Sequence, residues 1–174
     1  RRIPEVKKPS LADEALSELK SEQPEIKEEN LEKEEAPLEL SEEAPAVEEN
    51  DAIVIEAGDQ LQFSVTEFTA AAGSNVHIML KNVGSLPKET FGHNIVFLTA
   101  GADLQAFGQA AVSAADNEYI PADMADWVLA NSTLLGPGEE AMVMFTAPTE
   151  PGTYEFLCSF PGHYGTMRGV MTVE

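Results

Sequence analysis

The chain of 174 residues is short of cysteine, of basic residues, of long apolar runs and, over its first 50 residues, of aromatic side chains. Its one cysteine, Cys158, excludes an intrachain disulfide and any paired-cysteine metal or redox motif. Ten Lys and Arg stand against 31 Asp and Glu, a net charge of −21. Without a basic face there is nothing to hold phosphates, so nucleic acid is excluded as a partner. No stretch approaches the ~18 apolar residues needed to cross a bilayer as a helix. Any membrane tether is therefore expected through a segment upstream of residue 1.

The shortages are unevenly spread and divide the chain near residue 50. Residues 1–50 carry 7 basic and 16 acidic side chains, five prolines, and no Gly, Phe, Tyr or Trp. Such a segment buries too little apolar surface to offset chain entropy and reads as a disordered acidic linker or tether. Leu11, Ala15 and Leu19 recur at helical spacing behind Ser10, which predicts a short helix over about Leu11–Lys20. Glu-Glu-Ala-Pro occurs at 34–37 and again at 42–45. That weak repeat resembles the spacers in front of some membrane-anchored, periplasm-facing domains.

Residues 51–174 hold all the aromatics and carry 3 basic against 15 acidic residues, a net −12. Alternation and turn residues predict strands at Ala52–Ala57, Gln60–Val65, Ser74–Asn82, Asn94–Leu98, Glu140–Thr146, Gly152–Cys158 and Gly169–Val173. Gly136-Pro137-Gly138 and Pro151-Gly152 are among the turns that separate them. Short strands at this spacing predict a Greek-key sandwich. The Ala-rich stretch from about Ala102 to Ala115 lacks strand formers and predicts a helical flap.

Chemistry concentrates in Cys158-Ser159-Phe160-Pro161-Gly162-His163-Tyr164-Gly165-Thr166-Met167. A thiol, an imidazole and a thioether share one loop between two predicted strands, and Pro161-Gly162 tightens its turn. His93, just before the strand at Asn94–Leu98, offers an imidazole from elsewhere in the fold. Taken singly, each has an ordinary reading: a buried thiol, a core methionine, a hydrogen-bonded histidine. Together, two His, one thiolate and a weak axial Met make the trigonal set of a blue-copper electron-transfer centre. His77 lies mid-strand with no ligand-like neighbour in the sequence and takes the structural reading.

These residues are similar to those of the cupredoxins, azurins and auracyanins in particular. The resemblance spans roughly residues 56–174 and rests on Gly-Ser-Leu-Pro-Lys at 84–88, Gly-His-Asn at 92–94, Cys-Ser-Phe-Pro-Gly-His at 158–163 and Met167. Tyr119-Ile120-Pro121 and Thr133 to Glu139 match in order as well. The resemblance implies an all-β, eight-stranded Greek-key sandwich with a short helical flap, and one type 1 copper at the end of the barrel. It implies His93, Cys158 and His163 as ligands, Met167 as axial ligand and the Gly92 carbonyl as a weak opposite contact. Asn94 and Phe160 would support that set. Leu86, Phe91, Pro161 and Gly165 would form an apolar docking patch around the outer edge of His163. The family's non-ligand histidine before the Gly-x-Leu-Pro-Lys segment is Asn82 here, so no proton-linked switch is expected there.

The resulting expectation is a monomeric, non-enzymatic one-electron carrier, periplasmic or at the cell surface. Its redox partners would be a cytochrome or a copper or haem oxidoreductase, and its acidic domain would steer basic partners. The alternative is a copper-binding or copper-delivery protein, which favours exposed Met- or His-rich sites. Met142 and Met144 alternate on one strand with no His gathered beside them in the sequence, which counts against it. A cysteine hydrolase would leave Met167 without a role. A catalytic copper enzyme needs histidines beyond His77.

Overall fold

The computed structural model describes residues 52–174. The expected acidic linker at 1–50 and its short helix over Leu11–Lys20 lie outside the described residues. The described residues form eight strands in two sheets, with few helices. The first sheet holds β1 (Ile53–Ala57), β3 (Asn75–Asn82) and β6 (Glu140–Thr146) in the order β1-β3-β6. The second has the order β2-β8-β7-β4-β5, with β2 Glu67–Ala70, β4 Val96–Leu98, β5 Val128–Asn131, β7 Gly152–Leu157 and β8 Arg168–Val173. β1 pairs parallel with β3, and β2 parallel with β8; the other pairings are antiparallel. The sandwich expected from the sequence is the fold observed.

Period-2 alternation drives the packing. Val76, Ile78 and Leu80 of β3 point inward with Val143 of β6, and meet Phe97, Tyr154, Phe156 and Met171 of the other sheet. Phe97 of β4 and Phe145 of β6 lie 4.9 Å apart between ring centroids and tie the two layers together. β4 is buried on both faces because the flap covers its outer side. There Val96, Leu98, Leu104, Phe107 and Leu157 form a second, smaller core.

Two expectations shift. The strand expected at Gln60–Val65 is a loop. Leu61 adopts φ 56, and its N–H bonds the Gly58 carbonyl in a turn that interrupts the extended chain. Phe63 still reaches the core and bridges Ala57, while the strand forms later, at Glu67–Ala70. β5 was not anticipated: Val-Leu-Ala-Asn is too short to alternate, and pairing with β4 alone makes it a strand. The flap is helix α2 (Leu104–Ala111), capped by Asp103, whose carboxylate accepts from the N–H groups of Gln105 and Ala106. A short helix α1 (Lys88–Phe91) precedes the first histidine of interest.

Candidate metal centre

His93 sits between α1 and β4, where two backbone bonds with Leu135 fix it: His93 N–H donates to the Leu135 carbonyl at 3.1 Å, and Leu135 N–H donates back at 2.7 Å. Gly92 before it is buried, and a Cβ there would lie 2.7 Å from the Lys88 carbonyl oxygen and 2.9 Å from Leu134 Cγ. Only glycine lets α1 turn so closely into the histidine. Cys158 follows the last residue of β7, and its N–H bonds the Met167 carbonyl at 2.9 Å, closing the loop at its base. Inside, His163 N–H donates to the Phe160 carbonyl at 3.0 Å, and Met167 N–H to the His163 carbonyl at 2.8 Å. Gly162 at φ 85 allows the reversal. The loop thus aims its own side chains with its own backbone.

These elements bring three ligand atoms together: one nitrogen each from His93 and His163 and the Cys158 sulfur all lie within 4.8 Å of one another. Cys158 Sγ and His163 Nδ1 are 3.7 Å apart. The two imidazoles stand 5.1 Å apart by centroid, with Phe91 packed on both and Phe160 on His163 at 4.7 Å. His93, Cys158 and Met167 are completely buried, and His163 is 4% exposed. Both ring nitrogens of His93 are buried, with no hydrogen-bond partner among the described residues. A buried imidazole without partners is costly unless something else uses its lone pair.

Burial sets the protonation of the donor set in the metal-free chain. Desolvation lowers His93 from its ordinary range, against small opposing pulls from the Asp59 carboxylate and the nearby Gly58 carbonyl. His163 is lowered to about 4, first by desolvation and then by the neighbouring His93. Desolvation raises the Cys158 thiol to about 11, and the backbone N–H groups of Asn94 and Phe160 oppose it only partly. At neutral pH the imidazoles are free to donate lone pairs, and the single proton in the way is on sulfur. A soft thiolate with two imidazoles, held dry and close, fits copper.

Asn94 links the two halves of the site. Its Oδ1 accepts from Ser159 N–H at 2.9 Å, and its Nδ2 donates to Ser159 Oγ at 2.8 Å and the Glu118 carbonyl at 3.1 Å. Phe160, at 6% exposure, is buried; of the expected docking residues Leu86 is 41% exposed, Phe91 and Pro161 are half-buried and Gly165 is exposed. Asn82 is buried, donates to the Leu135 carbonyl at 3.0 Å and accepts from Gly84 N–H at 2.9 Å.

Residues 49–174 match the model of the copper binding proteins of the plastocyanin/azurin family. The chain belongs to that family. It is 37% identical over 126 residues to outer membrane protein H.8 of Neisseria meningitidis serogroup B, covering 71% of this chain and 68% of that protein. It is 37% identical over 124 residues to the azurin of Pseudomonas denitrificans, covering 69% and 95%. Among solved structures, auracyanin A of Chloroflexus aurantiacus superposes with a TM-score of 0.64 at 36% identity, covering 71% of this chain and 98% of that one. Reduced auracyanin of Roseiflexus castenholzii gives 0.63 at 37%, covering 71% and 97%. This cupredoxin therefore takes copper, with His93, Cys158 and His163 placed as its metal site.

Sequence reasoning overlooked three supports. Asp59, from the loop after β1, accepts from Ser85 N–H and Ser85 Oγ, the latter at 2.8 Å, and so holds the segment that leads to Leu86. Phe91, expected only in the docking patch, also touches both imidazoles. Tyr164 packs on α2 at Gly108, where an added Cβ would collide with the ring. Of these, the glycine-aromatic contact leaves no local trace in the sequence.

Proposed function

We propose that residues 51–174 are a one-electron carrier domain with a single type 1 copper. His93, Cys158 and His163 would bind it, with the Met167 thioether and the Gly92 carbonyl as weaker additional contacts. The observation that carries this reading is the pair of unpartnered His93 nitrogens, sealed from water beside His163 and the Cys158 sulfur. Copper bound there supplies a Cu(II)/Cu(I) couple.

The chain does the rest. With His93 and Cys158 fully buried, no substrate reaches the donor atoms, so exchange proceeds through the protein without bond making. Backbone bonds across the loop and the Asn94–Ser159 pair hold the ligands in place whatever the charge at the centre. Small rearrangement on gain or loss of an electron favours fast transfer. His163 is 4% exposed and packs on Phe91, and with Leu86, Pro161 and Gly165 it would offer a small apolar docking patch for a cytochrome or a copper or haem oxidoreductase. The −12 charge of the domain favours basic partners at long range.

The domain works as a monomer in the periplasm or at the cell surface, and residues 1–50 act as a spacer to a membrane. Support comes from their charged, aromatic-free composition and from the relative named an outer membrane protein. The copper-loaded chain tests the assignment. Intense blue absorption with a narrow copper hyperfine splitting is expected; a colourless Cu(I) complex that oxidant leaves colourless would refute it. Isolating the native protein from membrane and soluble fractions tests the tether.

A further inference from the structure

The outer face of the β1-β3-β6 sheet carries a group of side chains that the buried centre does not use. In the antiparallel register of β3 and β6, His77 lies directly opposite Met144, and Met79 directly opposite Met142. The partners Val76, Ile78 and Leu80 are buried, so His77 and Met79 point outward, and Met142 and Met144 share that face. Directly opposed residues have Cβ atoms about 5 Å apart. One imidazole and three thioethers therefore form a two-by-two block on a solvent-facing sheet. This corrects the sequence reading, in which Met142 and Met144 had no histidine and His77 had no ligand-like neighbour. The missing neighbours are across the ladder, more than sixty positions away.

A packing explanation fits this block poorly. Outward positions of an exposed strand favour β-branched or polar residues, and unbranched Met gains little there. Met144 is 59% exposed and Val54, beside Met79 on β1, is 45% exposed. Half of the chain's six methionines gather here, around its only histidine outside the buried centre. His77 and Met144 both line a surface hollow of about 280 Å³. The charged groups of the next row are Lys81 and Glu140, paired with each other at 3.2 Å, so no free cation among the described residues stands in the block.

We infer that His77, Met79, Met142 and Met144 form a second, surface Cu(I) site. Thioethers are soft, uncharged donors that select Cu(I) over Zn(II) or hard cations, and one imidazole completes a four-coordinate set. Flexible Met side chains close around an ion without movement of the strands. The acidic domain raises the local concentration of any cation. No electron changes hands on binding: Cu(I) enters and leaves as Cu(I). The site is independent of the buried one, because none of its residues contributes to that centre.

The test uses the full chain with its buried copper in place and reduced, titrated anaerobically with Cu(I) against bicinchoninate. One further equivalent of Cu(I) is expected, and in methyl-labelled protein the Met79, Met142 and Met144 resonances shift together while Met171 stays fixed. Met79→Leu/Met142→Leu/Met144→Leu conserves side-chain volume and is expected to lose the second equivalent while keeping the blue band on reoxidation. His77→Phe is expected to weaken it at least about tenfold. A ratio that stays at one copper per chain overturns the inference. So does a second equivalent that survives the triple substitution, or methyl shifts confined to Met124 or Met167. Loss of the blue band in the unsubstituted protein instead condemns the assignment of the buried centre, a separate failure.

Discussion

Gly108→Ala is the substitution whose sign depends most on one contact. Gly108 is buried in α2, and a Cβ added there would lie 2.6 Å from both Tyr164 Cδ1 and Cδ2. Its φ is not in the left-handed region, so alanine adopts the same backbone, and the helix itself gains about 1 kcal/mol. Against that stands overpacking, about 1–3 kcal/mol in a filled site. Tyr164 has little room to yield, because it follows His163, whose ring is packed between Phe91 and Phe160. The net effect in the natural background is a loss of about 1 kcal/mol. With Tyr164→Ala already present the clash disappears, and the same change becomes a gain of about 1 kcal/mol. The coupling of about 2 kcal/mol falls in the range for residues in contact. Urea unfolding of the copper-free protein in all four combinations measures it, with midpoints in heat differing by about 4 °C per kcal/mol. The same sign in both backgrounds, or a coupling below about 0.5 kcal/mol, would refute the interlock of flap and ligand loop.

Cys158→Ser removes the soft thiolate and is expected to abolish the blue absorption while urea unfolding of the copper-free chain changes little. Met167→Leu keeps the volume and the colour but raises the reduction potential, which voltammetry reads; an unchanged potential would remove Met167 from the ligand set. The copper-free protein is expected to be most stable between about pH 6.5 and pH 9. Below that window, unfolded histidines take up protons that buried His93 and His163 refuse, so stability falls with pH down to about 4, the value of His163. Above it, an unfolded thiol ionises while buried Cys158 keeps its proton until about 11, so stability falls as pH rises. Copper loading should erase the alkaline loss, because the thiol proton has already left; thermal scans with and without metal across pH 5–10 check both limbs.

The ligand loop was legible because its chemistry is local: Cys158, His163 and Met167 fall within ten residues around a Pro-Gly turn. His93 was legible only through the Gly-His-Asn motif, since nothing in its neighbourhood reveals that Leu135 will pin it. Strands with one buried face, such as Asn75–Asn82 and Glu140–Thr146, announced themselves by alternation. Where tertiary pairing decides the matter, local reading failed. A left-handed Leu61 undid one expected strand, and β4 created β5 from four residues with no period of their own. The His77–Met144 pair was hidden for the same reason: register between β3 and β6 is a property of the sheet, and each strand alone shows only half a cluster.

The place of β8 has a consequence for how the protein is made. β8 lies between β2 and β7, so residues 168–173 fill an interior position of the five-stranded sheet and pair with residues as early as Glu67. A chain still emerging, or one clipped before Arg168, has two open strand edges and no β8 to anchor the far end of the loop that carries Cys158, His163 and Met167. Such long-range closure is slow compared with local folding. Copper must then arrive after synthesis of the domain is complete, and a compartment could receive the chain unfolded and still be the first place where the metal finds its donors assembled.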